Sequence, residues 1–235
     1  MENEHYYRGN LPHWQPPEGT FFITYRLYGS IPRNVIQELK AQYESAVENI
    51  ESVYGLPVGE ALEKLPIAER QHLLTILEKK KYDEQKRSFA RFDGFLDHNL
   101  NEPHWLKIPD IAELVASSIQ HFANKHYQLW AYTIMSNHVH ILLTMLPGAP
   151  MLWKVLQDSK KYSGRQANQW LGREGEKFWE HESYDHLVRD GKLNEPGEFY
   201  RIQNYILNNP VKAGLVKTWE EWPWTYYCPA LCPAL

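Results

Sequence analysis

Cysteine is nearly absent from this 235-residue chain, which has only Cys228 and Cys232, both in the proline-containing tail. Their spacing fits neither a zinc nor a redox motif, and two thiols make no disulfide framework, so a reduced compartment is expected. Long apolar runs are missing too. None approaches the about 20 residues that span a bilayer, and the polar N-terminus lacks a secretory pattern, so a cytoplasmic protein with no membrane partner is expected. An excess of positive charge is also missing: 25 Lys and Arg against 29 Asp and Glu leave a formal net charge of −4. That balance argues against a protein that coats nucleic acid through charge alone.

Aromatic residues are abundant, at 14% of the chain, with nine Trp and fifteen Tyr. Such rings supply core mass and also flat faces on which bases stack. The hydrophobic and charged fractions are ordinary for a globular protein, and the length fits one domain with an inserted part. One basic cluster stands out, Lys160, Lys161, Arg165 and Arg173, diluted by Asp158, Glu174 and Glu176.

The run from Thr20 to Tyr28, β-branched and aromatic, reads as a strand closed by Gly29-Ser30. From Pro32 to about Tyr54 the period turns helical through Val35, Leu39, Tyr43 and Val47. Gly55, Pro57, Gly59 and Pro66 then interrupt the pattern, and a charged helix ending at Lys79-Lys-Lys81 follows. Residues 31–108 are read together as a helical insertion. Pro109 opens a helix whose stripe is Ile111, Leu114, Val115, Ser118, Ile119 and Phe122. Strands over 127–135 and 138–145 follow, joined at Ser136-Asn137. A helix over 151–171, a strand over 178–188 and a helix from about Glu195 to Asn208 complete the series. Asn194 is the expected N-cap of that last helix and Pro210 its expected stop. Strand, helix, strand, strand, helix, strand is the ferredoxin-like α+β plan, here with one extra helix.

Within the second of the paired strands lies Ser136-Asn-His-Val-His-Ile-Leu-Leu143. Side chains alternate along a strand, so His138 and His140 share one face, about 7 Å apart along the backbone. Two neutral imidazoles so placed can converge on one divalent metal; equally, a half-buried strand can simply turn two histidines to solvent. On the last helix Tyr205 and Asn209 are neighbours at i and i+4, near one edge of a stripe made by Phe199, Ile202 and Ile206. A tyrosine hydroxyl there can serve as nucleophile and an amide oxygen as a hard-cation ligand. A core-boundary tyrosine and a helix C-cap are the plainer alternatives. Tyr162, in Lys160-Lys-Tyr-Ser-Gly-Arg165, is a competing nucleophile in basic surroundings, on a helix that otherwise presents a solvated face.

The segments Ser136 to Leu143 and Tyr205-Ile-Leu-Asn-Asn-Pro-Val-Lys-Ala-Gly-Leu-Val216 resemble the REP-associated tyrosine transposases, relatives of insertion-sequence transposases in the HUH single-strand nuclease superfamily. Phe178-Trp-Glu-His-Glu-Ser-Tyr-Asp185 and Leu11-Pro-His-Trp, followed by Phe22-Ile-Thr-Tyr-Arg-Leu27, are similar as well. Ser136 replaces the proline usual before the family's Asn-His-Val-His, a change in the turn rather than in the chemistry. The likeness covers roughly 11–30 and 105–225.

What the resemblance implies is specific. The fold is an HUH nuclease fold, an antiparallel sheet with helices on one side and an extra C-terminal helix carrying the tyrosine. His138, His140 and Asn209 hold Mg²⁺ or Mn²⁺, with no small-molecule cofactor, and Tyr205 attacks DNA. The substrate is single-stranded DNA bearing a REP-like hairpin, cut through a covalent 5′-phosphotyrosine that a 3′-hydroxyl can reverse. Lys160, Lys161, Arg165 and Arg173 are the expected phosphate contacts. Two other classes stay open: a hairpin-DNA-binding protein that no longer cuts, and a hydrolase that activates water on the histidine-bound metal. Whether the chain acts as a monomer or a dimer is open too.

Overall fold

A computed structural model describes residues 6–8, 12–53, 65–99, 103–188 and 197–228. The chain divides into two compact units, one of residues 1–30 with 101–235 and one of 31–100.

The larger unit is built on a five-stranded antiparallel sheet. Its strands are β3 (Thr20–Arg26), β4 (Tyr127–Ile134), β5 (His138–Met145), β6 (Tyr184–Leu187) and β7 (Thr225–Tyr227), in the order β6-β3-β5-β4-β7. The first four strands in that order reproduce the ferredoxin-like plan expected from the sequence, and β7 extends it at the β4 edge. Two short strands, β1 (Tyr6–Arg8) and β2 (Pro12–Trp14), pair separately.

One sheet face carries the core. Phe21, Ile23 and Tyr25 of β3 and Val139, Ile141 and Leu143 of β5 pack there. They meet Ile111, Val115 and Ile119 of α3 (Pro109–Phe122) and Leu152 and Val155 of α4 (Leu152–Trp170). Burial of such side chains stabilises by about 1.5–3 kcal/mol each. Across the α3–α4 contact, Ser118 and Ser159 join hydroxyl to hydroxyl at 2.8 Å. β4 keeps Tyr127, Leu129, Tyr132 and Ile134 on this face although their parity changes midway. A β-bulge between Leu129 and Ala131 makes the change: one extra residue, Trp130, restores the inward register.

The opposite face receives α5 (Glu198–Lys212), whose buried residues include Gln203, Ile206, Leu207, Asn209 and Pro210. The stripe is therefore rotated from the expected one toward Gln203, Leu207 and Pro210, while Phe199 and Ile202 are only half-buried. Pro210 does not stop the helix. It forfeits one bond to a carbonyl four residues back, but it is buried against the fold, and the stop comes at Gly214. There φ is +72°, Gly214 N–H donates to Val211 and Leu215 N–H to Pro210, each at 2.9 Å. That pair of bonds is a Schellman cap, which favours glycine at this position. Gly197 is the N-cap; Asn194 lies outside the described residues.

The strand expected over 178–188 is shorter. A lone bridge joins Leu27 and Trp179, and regular pairing resumes only at Tyr184. The smaller unit holds α1 (Arg33–Val53) and α2 (Ile67–His98). The latter runs well past Lys81, because no proline follows before its end and the single Gly94 is carried inside it. Its buried residues include Glu84 and Asp93, and Arg87 and Arg91 both pair with Glu84. Leu106, in the 3₁₀ turn Trp105–Lys107, belongs to the core of the larger unit.

Candidate metal and nucleophile site

The two histidines of β5 are fully buried. Across the strand pair, Thr24 stands opposite His140 and Arg26 opposite His138. Both imidazoles present Nε2 to the same point, 3.1 Å apart. His138 Nδ1 lies 2.7 Å from Asn137 Oδ1, and His140 Nδ1 lies 2.7 Å from Thr24 Oγ1. An amide oxygen only accepts, so Nδ1 of His138 carries a proton, and in the neutral ring its Nε2 then offers a lone pair. Two Nε2 lone pairs at 3.1 Å repel unless a proton or a cation lies between them. The Thr24 hydroxyl suits either case, since it can donate to Nδ1 or accept from it. Ligands bound at about 2.1 Å and at right angles to each other lie about 3.0 Å apart, so this pair fits one divalent ion. Imidazoles held through the second nitrogen are the usual arrangement at metal sites.

The hairpin that carries these groups is tied down. Met135 N–H donates to His138 O at 2.9 Å, leaving Ser136-Asn137 as the loop, and Asn137 O accepts from Leu27 N–H at 2.8 Å. The orienting amide is thereby fixed to the end of β3.

Tyr205 of α5 reaches this face. Its ring lies 5.6 Å from the His140 ring at 67° and 5.9 Å from Phe22 at 85°. Phe22 in turn stacks on His140 at 5.6 Å. Lys212 Nζ sits 5.5 Å from the Tyr205 ring. Tyr205 is half-buried, at the margin of the helix stripe. Tyr162, by contrast, is 55% exposed on α4.

Asn209, one turn beyond Tyr205, is fully buried rather than at an edge. Neither its Oδ1 nor its Nδ2 has a hydrogen-bond partner among the described residues. An unsatisfied buried polar group costs about 1–3 kcal/mol, and a carboxamide that ligates a cation recovers that cost.

The basic residues separate. Lys160, Lys161 and Arg165 line one groove of about 950 Å³ along α4, with Glu174, Glu180 and Asp185 also in its walls. Lys160 is already engaged, donating to His181 O at 2.9 Å and to Ser183 Oγ at 3.1 Å. Burial lowers its pKa to about 8, although the charge of Glu180 opposes the shift. Arg173 is not in the groove; it stacks 3.8 Å over Trp105 and pairs with Glu176. Cys228 is a buried thiol outside any disulfide, and Cys232 lies outside the described residues.

No family model and no curated protein matches the chain. Among solved structures it is similar to a REP-associated tyrosine transposase bound to a REP hairpin. The identity is 14% and the TM-score 0.43, over 93% of this chain and 82% of that one. No described helix is long and apolar enough to cross a membrane.

Thr24 and Asn137 are two residues of this candidate site that the sequence did not single out. Asn137 could have been found, because it directly precedes the first histidine. Thr24 is brought to His140 only by the β3–β5 register.

Proposed function

We propose that this protein is a metal-dependent single-strand DNA nuclease and strand transferase, of the tyrosine transposase kind, acting on hairpin-bearing DNA. The observation that carries the reading is the meeting of Tyr205 with the histidine pair: a half-buried phenol beside His140, whose Nε2 converges with that of His138. Neither simple DNA binding nor water activation calls for a tyrosine there.

His138 and His140 would hold the ion through Nε2, with Asn209 contributing its amide oxygen. Bound Mg²⁺ or Mn²⁺ supplies charge neutralisation at the phosphate. Asn137 and Thr24 fix the imidazoles, and Phe22 holds the ring edge of Tyr205. The Tyr205 hydroxyl gives its proton to solvent and its oxygen bonds to phosphorus. The P–O3′ bond breaks, the electron pair stays on O3′, and a proton from water completes a 3′-hydroxyl. The product is a 5′-phosphotyrosine whose bond energy is conserved, so a second 3′-hydroxyl can reverse the step and join strands. The groove along α4 offers Lys161 and Arg165 to the DNA backbone.

The test is incubation of the protein with a hairpin-bearing single strand, 5′- or 3′-labelled, with Mg²⁺ or Mn²⁺. A protein-linked 5′-phosphate fragment is expected. Tyr205→Phe keeps the ring and removes the oxygen, so the adduct disappears while hairpin affinity stays. Full cleavage by that variant rejects Tyr205 as nucleophile, and loss in Tyr162→Phe instead moves the role there. Cleavage that persists in EDTA rejects the metal.

A further inference from the structure

Arg26 stands beside this constellation and is not explained by it. On β3, Phe22, Thr24 and Arg26 alternate onto one face. Phe22 meets the rings of His140 and Tyr205, and Thr24 bonds His140. Arg26 is third in that row and pairs directly with His138; opposed residues in a strand pair have Cβ atoms about 4.5–5.5 Å apart. The side chain is buried, with its guanidinium 3.3 Å from Glu180 and 3.3 Å from Ser30 Oγ. Burial lowers its pKa, and the charge of Glu180 opposes that.

A merely structural role would be to pin the 178–180 segment to β3. The backbone already does so: Tyr28 N–H donates to Phe178 O at 2.8 Å and Glu180 N–H to Arg26 O at 2.9 Å. A buried ion pair is weak evidence for stability, because desolvation offsets the attraction. Glu180 holds one edge of the guanidinium, and the strand register sets the same side chain opposite His138, beside a histidine pair suited to a cation. A phosphate oxygen seated between that cation and the guanidinium would be attracted by both.

We propose that Arg26 is a catalytic residue whose guanidinium contacts a non-bridging oxygen of the scissile phosphodiester and neutralises charge as Tyr205 attacks; this rests on the nuclease reading above. The singly charged diester gains the charge of the tyrosine oxygen in the five-coordinate state and returns it to O3′ when the P–O3′ bond breaks. Arg26 gives and takes no proton.

Single-turnover cleavage of two hairpin substrates tests this, one with a normal scissile phosphodiester and one with a neutral methylphosphonate there. Removing one such donor costs on the order of 10²–10³-fold. R26Q is therefore expected to cut the normal substrate about 100-fold more slowly than wild type, with the gap narrowing to within about 10-fold on the methylphosphonate, which lacks the charge to be neutralised. R26Q/E180Q removes the pair without leaving a lone buried charge, and it should stay slow. Recovery in that double variant, or equal defects on the two substrates, means that Arg26 is only structural and overturns the assignment. Should R26Q not fold, R26K keeps the charge but loses the planar fork, and its defect must shrink on the methylphosphonate likewise. Wild-type protein that forms no adduct fails the nuclease reading and this one with it. An active wild type with R26Q equally fast fails the Arg26 assignment alone.

Discussion

At the scale of single residues, the candidate site turns on how two imidazoles are held. His138 and His140 alternate onto one face because a strand leaves no other choice. That Nε2 of each meets the other depends on Asn137 and Thr24, and the latter is 116 positions from its partner. Asn209 is buried rather than at the expected edge, since the stripe is set by which face of α5 fits the sheet and not by Phe199, Ile202 and Ile206 alone. Its bare amide leads to a prediction. Asn209→Leu conserves volume and removes two unsatisfied groups, so the metal-free protein should gain roughly 1–3 kcal/mol. The same variant should lose the rise in melting temperature that Mn²⁺ gives wild type. A variant that is less stable without metal, or equally stabilised by it, contradicts a ligand role. Lys160 offers a pH test. Its folded pKa of about 8 lies below the ordinary 10.5, so between those values the unfolded chain holds a proton that the folded chain has released. Stability therefore rises with pH across that window. Lys160→Met should be more stable than wild type at pH 7, with the advantage shrinking between pH 8 and 10. A difference independent of pH in urea titrations would show that Lys160 is not held at a cost.

At the scale of elements, the strands and helices of the larger unit followed from periodicity, and the errors fell where a local signal competed with packing. Pro210 carries a strong stop signal, yet the helix continues because Pro210 is buried and Gly214, in a left-handed conformation, closes the Schellman cap. The residues from Phe178 carry a strand-like pattern, but regular pairing begins only at Tyr184 and their aromatic content serves packing instead. Trp179 donates Nε1–H to Ser163 Oγ at 3.0 Å and meets the Tyr25 ring edge-on at 4.8 Å. This packing requires a glycine on α4. A Cβ at Gly164 would lie 3.2 Å from Phe178 Cβ and 3.2 Å from Trp179 Cδ1. Alanine would gain about 1 kcal/mol in helix propensity. Overpacking costs about 1–3 kcal/mol, and neither neighbour can yield, one being a Cβ and the other a ring held by its hydrogen bond. Gly164→Ala is thus expected to lower the unfolding free energy on balance, read as an earlier urea midpoint with unchanged slope. A later midpoint would mean that the 178–179 segment can move away from α4.

At the scale of the whole molecule, a net charge of −4 has to be reconciled with the polyanionic substrate proposed above. Non-specific affinity for duplex DNA comes chiefly from counterion release by Lys and Arg, and this chain has too few to spare. On that reading binding is local, and the groove along α4 offers Lys161 and Arg165, although its walls hold more acidic than basic residues. The acids in the same walls limit how strongly it draws phosphates, so stacking of unpaired bases on exposed aromatic rings has to supply the rest. Trp153, 38% exposed, lines the groove, and Trp170 is 52% exposed at the end of α4. A hairpin with single-stranded flanks offers phosphates and unstacked bases together, whereas a blunt duplex offers phosphates alone. The flanked hairpin should therefore bind at least about 10-fold more tightly, since each stacked base contributes on the order of 1–3 kcal/mol. Each phosphate contact adds about 0.9 to the slope of log affinity against log salt on duplex DNA and about 0.7 on a single strand. Lys161→Gln with Arg165→Gln should accordingly flatten the slope by about 1.5 while leaving the cleavage position unchanged. Titrations of both DNA forms between low and moderate salt read this directly. Equal affinity for duplex and flanked hairpin would remove the role of unpaired bases, and an unaltered slope would place the DNA path on another face.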